Sequence, residues 1–126
     1  MTVDYRLVDI FVRVWNRNHR SWFGGEGLVA ENINWGWCYQ FALVIHGVYG
    51  GELISSCGHA WVRIGEWDYD SEHLSGGDIY SYGRSVYDRD QFISYWNNGG
   101  GSGPVCETTI AETIQEFMKL KQNEAA

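Results

Sequence analysis

Residues 59–72, HAWVRIGEWDYDSE, constrain the fold more than any other stretch. Two alternating runs flank Gly65–Glu66, a two-residue loop of the kind that permits positive φ, and so predict a β-hairpin. Alternation puts Ala60, Val62 and Ile64 on one face and His59, Trp61 and Arg63 on the other. A register set by that turn pairs Trp61 with Asp70, Arg63 with Asp68 and His59 with Glu72. Asp70 then shares a face with His59, one diagonal step away and within reach of its imidazole. A slip of one residue would send the carboxylates to the other face, so this inference stands on the turn.

Upstream, residues 35–47 read as a helix with Asn34 as N-cap. Phe41, Val44, Ile45 and Val48 form its buried stripe, and Gly47, Gly50 and Gly51 supply the stop. Cys38 falls in the first turn, where unsatisfied N–H groups and the positive helix end favour a thiolate. A cysteine in an apolar helix is more often a small buried hydrophobe; the first-turn position argues for the reactive role. A thiolate that attacks a carbonyl needs a base, and the base needs a third group to hold its orientation. Cys38, His59 and Asp70 occur in that order. The N–H of Cys38 is the natural first donor to an oxyanion, with Asn34, Asn32 or the Trp35 indole as the second.

The pattern GWCYQFAL followed by GHAWVRIGEWDYDSE resembles the papain-like superfamily. Within it, the pattern is most similar to small transglutaminase-like cysteine domains, including small bacterial and phage proteins. There a Gly-x-Cys helix start precedes a His-Ala-Trp-Val strand and a hairpin ending in Asp. The resemblance covers about residues 34–72. It implies a Cys-bearing helix packed on a small antiparallel sheet, with Cys38 as nucleophile, His59 as base and Asp70 as orienting acid. It also implies cleavage or exchange at an amide of a peptide or protein substrate, with no cofactor. The interval from Cys38 to His59 is 21 residues, short for a transglutaminase, which implies trimmed substrate-binding loops. Trp61, Trp67 and Tyr69 are expected beside the site, where they would suit a glycopeptide, although an acidic chain is disfavoured at an anionic cell wall.

The remainder of the chain frames this unit. Val3, Leu7, Ile10, Phe11 and Val14 predict a helix over 3–15, widened by Val8, Val12 and Trp15. Residues 16–33 read as a polar connection. Its Arg13, Arg17 and Arg20 form a solvated cluster or bind acids, and its Trp22 and Phe23, beside Gly24 and Gly25, line a cleft or plug the core. His46 reads as a helix-end histidine, His73 as exposed and His19 as lacking an obvious partner. Residues 74–87 read as irregular with one short strand. A short helix starts at Asp88 or Asp90, with Phe92, Ile93 and Trp96 inward, and 97–104 is expected to be a mobile loop. The final helix begins near Thr108–Thr109 with a Thr109–Glu112 capping box. It buries Ile110, Ile114, Phe117 and Met118, and ends by Lys121. The expectation is one α+β domain spanning 1–126, with helices at both ends.

Charge decides what this domain would meet. Residues 64–126 carry eleven acids and four bases, against five of each before them. That argues against nucleic acid and leaves a basic protein partner as the alternative function. A catalytically silent inhibitor would offer Glu66, Asp68, Asp70, Glu72, Asp78, Asp88 and Asp90. No run is long enough to span a membrane, and Asp4, Arg6 and Asp9 interrupt any signal-peptide pattern. The expectation is therefore cytoplasmic, with three reduced cysteines; a Cys57–Cys106 bridge is the oxidised alternative. Cys57, His59, His73, Asp68, Asp70 and Glu72 match no zinc or calcium spacing, so no metal is expected.

Overall fold

The computed structural model describes residues 1–19, 27–79 and 83–125. The expectations for Arg20, Trp22, Phe23, Gly24 and Gly25 lie outside these. Asp4 accepts from the Arg6 N–H and starts α1, Tyr5–Asn18. A 3₁₀ helix, Ala30–Trp35, follows. Gly36, at φ 137°, then turns the chain into α2, Cys38–Tyr49. Asn34 therefore lies inside the 3₁₀ helix, and Trp37 takes the N-cap position. The short 3₁₀ segment moves the start of α2 forward, which makes Cys38 its first residue.

Every residue from Cys38 to Ile45 is buried. A helix buried all round belongs between layers, and α2 packs on β1 and β2 and on α4. Gly47 allows the α4 approach, since a Cβ there would sit 2.3 Å from Ile114 Cδ1. Phe11 of α1 meets Phe41 of α2 at 5.3 Å between ring centroids, and α1 runs along α4.

The sheet is antiparallel, in the order β3-β2-β1-β4. Its strands are β1, Glu52–Ser56; β2, His59–Ile64; β3, Trp67–Tyr69; and β4, Ser85–Tyr87. The β2–β3 ladder pairs Val62 with Tyr69, Arg63 with Asp68 and Ile64 with Trp67, which is the register the turn predicts. It stops at Tyr69, so the Trp61–Asp70 and His59–Glu72 pairs do not form. The reason is chemical: Asp70 Oδ1 accepts from the Glu72 N–H at 2.9 Å, and this local turn competes with the strand.

Beyond the sheet, α3, Arg89–Tyr95, carries the capping box, Asp88 with Gln91. The last helix, α4, runs Glu107–Ala125, so Thr109 is internal and caps nothing. Its hydroxyl takes the Asn18 amide at 3.0 Å, and Glu112 pairs with Arg17 at 2.9 Å. Met118 is 44% exposed, contrary to expectation. Residues 97–104 are tied down where a mobile loop was expected. Tyr39 Oη donates to the Gly103 carbonyl at 2.6 Å. The Gln40 amide donates to Pro104 O at 2.8 Å and its oxygen accepts from Cys106 N at 2.9 Å. No helix among the described residues is long and apolar enough to cross a membrane.

Candidate active site

Three elements meet at one corner: the start of α2, the start of β2 and the turn after β3. Cys38, 5% exposed, lies with Sγ 4.0 Å from the carbonyl oxygen of Gly58, the residue before His59, and its side chain helps raise the pKa of the His59 imidazole. The Cys57–Gly58 turn places His59. Both residues have positive φ, 50° and 80°, as a two-residue hairpin loop of type I′ requires. Ser56 pairs with His59 across that turn.

His59 Nε2 stands 3.0 Å from Asp70 Oδ2. An ionised carboxylate only accepts, so Nε2 carries the proton and Nδ1 is left for the thiol. Burial opposes charge on this imidazole, but the hydrogen bonds and charges of Asp70 and Cys38 prevail and push its pKa up to about 9. Asp70 is held below the usual carboxylate range. Its burial raises the pKa, and the donors from His59, His73 and the Glu72 backbone more than offset that.

Asp70 has two further side-chain partners. His73 Nδ1 lies 2.8 Å from Oδ1, and Asn34 Nδ2 donates to Oδ2 at 3.2 Å. Asn34 also donates to Glu72 at 3.0 Å and accepts from the Ser71 hydroxyl at 3.3 Å. The amide expected to serve an oxyanion is thus engaged with Asp70 and Glu72. His73 is exposed, as its sequence position suggests, but its hold on Asp70 went unread. Its i+3 spacing from Asp70 was the signal that could have found it.

A cleft of about 310 Å³ opens here, lined by Asn34, Trp35, His59, Asp70, Glu72, His73 and Ile79. Trp35 is 80% exposed and is the aromatic available to a ligand. Trp61 and Tyr69 are not available, at 0% and 1% exposure. Alternation put Trp61 on one face with His59 and Arg63, and that face is covered at Trp61 as well. Trp61 stacks beside His59 at 5.5 Å between centroids, and Tyr69 Oη donates to Met1 O at 3.3 Å. A larger hollow of about 830 Å³, between the start of α1 and Phe117, holds none of the triad.

The other histidines, His46 and His19, have structural partners. His46 Nδ1 contacts Gly51 O at 3.0 Å at the end of α2. His19 stacks on Trp15 at 4.0 Å and reaches Thr109 Oγ1 at 3.0 Å. Cys106 is in no disulfide, so a bridge to Cys57 is not formed. Among the described residues, no three His, Cys, Asp or Glu side chains are grouped to hold a metal ion. Asp68 is 1% exposed, with Arg63 at 3.6 Å and Arg84 at 3.7 Å. Asp68 and Asp70 therefore contribute nothing to an acidic outer face. Comparison of the chain with protein-family models, curated proteins and solved structures gave no match.

Proposed function

We propose that the protein is a thiol-dependent amide hydrolase or acyl transferase of papain or transglutaminase type, acting on a peptide or protein amide. The observation that carries this reading is the grouping of Asp70, His59 and Cys38: a carboxylate 3.0 Å from one imidazole nitrogen, with the Cys38 thiol 4.0 Å from the carbonyl oxygen of the residue before that histidine. Cys38 would attack the carbonyl carbon as thiolate. The tetrahedral oxyanion would lie at the first turn of α2, where N–H groups lack helical partners. As the C–N bond breaks, the His59 imidazolium would give its proton to the leaving amine. The thioester would then pass its acyl group to water or to a second amine, with His59 taking that nucleophile's proton. A reducing cytoplasm would keep the thiol available. The alternative, a silent acidic inhibitor, loses support with the burial of Asp68 and Asp70.

The test is iodoacetamide alkylation across pH, mapped to each cysteine by mass spectrometry. Wild-type Cys38 is expected to react at pH 7 at least roughly tenfold faster than Cys38 in His59→Ala. Equal rates, or an inert Cys38 in both folded proteins, would make the thiol a packing residue and end this reading.

A further inference from the structure

Asp70 is gripped from both sides. Oδ2 takes His59 and Asn34, while Oδ1 takes His73 Nδ1 at 2.8 Å and the Glu72 N–H at 2.9 Å. The contact to His73 is the shortest of the four. The loop that presents His73 is itself fixed. His73 N donates to Asp70 O, and Gly76 N donates to His73 O, at 3.1 and 3.2 Å. Asp68 and Gly77 exchange two backbone bonds, 2.8 and 2.9 Å, that close the loop. Gly77 lies against the imidazole, and a Cβ there would sit 3.2 Å from His73 Cδ2. Yet the His73 side chain is 44% exposed, so it adds little to the core. A half-exposed ring held this closely is better explained by what it holds than by what it buries.

We infer that His73 is a positioning residue: its Nδ1–H fixes the Asp70 carboxylate in the plane that aims Oδ2 at His59. This rests on the thiol reading above. The carboxylate turns about the Cβ–Cγ bond, and without His73 its Oδ1 keeps only the Glu72 N–H, so its plane is set less firmly. His59 would then be oriented less firmly without any change in the residues that touch substrate. The charged and titratable groups around the pair are Cys38 from α2, His59 from β2, and Glu72 and His73 from the loop. The 3₁₀ helix faces it with the uncharged Asn34.

Three variants separate donor from bulk. Asn places an amide N–H where Nδ1 stands, whereas Gln and Ala do not. In His73→Ala and His73→Gln, Cys38 alkylation at pH 7 should slow about tenfold, the worth of one charge-assisted hydrogen bond. The upper limb of the pH profile, set by His59 near pH 9, should fall by about one unit. His73→Asn should restore both. A wild-type profile in His73→Ala overturns the inference, as does a His73→Asn no better than His73→Ala. ¹⁵N NMR titration of the His59 ring in the same variants keeps the two readings apart, because it needs no reactive thiol. If His59→Ala leaves Cys38 alkylation unchanged, the thiol reading falls and the ring titration decides alone. A His59 titration shifted in His73→Ala and restored in His73→Asn upholds the positioning role, and an unshifted one ends it.

Discussion

At the scale of single residues, Asp70 organises the corner. It is 4% exposed, yet both its oxygens are filled by donors, which is the condition under which a buried carboxylate stays charged. Asp70→Asn should therefore be severe for its size. The amide would present a donor to a donor and favour the other His59 tautomer, and Cys38 alkylation should fall roughly 100-fold, the lower range of acid–base contributions. An unchanged rate measured by mass spectrometry would show that Asp70 orients nothing. The grouping of Cys38, His59 and Asp70 at one corner was legible because they sit at positions that local rules govern: a helix start, a strand start and a hairpin end. Trp61 and Tyr69 were misplaced for one reason and Asn34 for another. Alternation tells which residues share a face but not whether that face is covered, and a cap assignment fails when a 3₁₀ turn intervenes.

At the scale of elements, the Cys57–Gly58 turn sets where β2 begins and so where His59 stands. Cys57 holds φ 50°, a left-handed conformation that costs a non-glycine residue about 1 kcal/mol. Cys57→Asn creates the Asn-Gly pair that type I′ turns favour. It should raise the unfolding free energy by about 0.5–1 kcal/mol, read from the urea midpoint, with Cys38 alkylation unchanged. A loss of stability would mean that the Cys57 side chain matters more than its backbone. The β2–β3 register was readable from Gly65–Glu66 because a two-residue turn leaves one option. The strap at 101–106 was not, because a Gly-rich segment looks mobile until Tyr39 and Gln40 are seen to hold it.

At the scale of the whole molecule, charge couples the fold to pH. The pKa of His59 is raised from 6.5 to about 9. Its contribution is therefore complete below pH 6.5 and is lost as pH rises through about 9. Asp70 is lowered, and Asp4 falls to about 2 through Arg6. Their contributions are present above the ordinary carboxylate pKa and lost as pH falls toward their folded values. Stability should be greatest between about pH 4 and 6.5 and decline on both sides. The alkaline decline, of the order of 3 kcal/mol for the full His59 shift, should largely vanish in His59→Gln. Urea midpoints at pH 6 and pH 10 check this, and an equal decline in both proteins would assign it to other groups. The surface seam adds to this charge pattern, as Arg17 pairs with Glu112 and Glu116, and Arg6 with Glu124. Such exposed pairs are screened by salt and fix orientation more than stability.

The helix that begins with Cys38 is buried on every side from Cys38 to Ile45. It can be covered only when the sheet closes over one flank and α4, more than fifty residues downstream, closes over the other. The setting of Cys38 is therefore completed late in assembly. A chain emerging stepwise would carry a cysteine with no formed helix end beneath it and no aligned imidazole beside it, and the corner would form with the last layer rather than accumulate along the way.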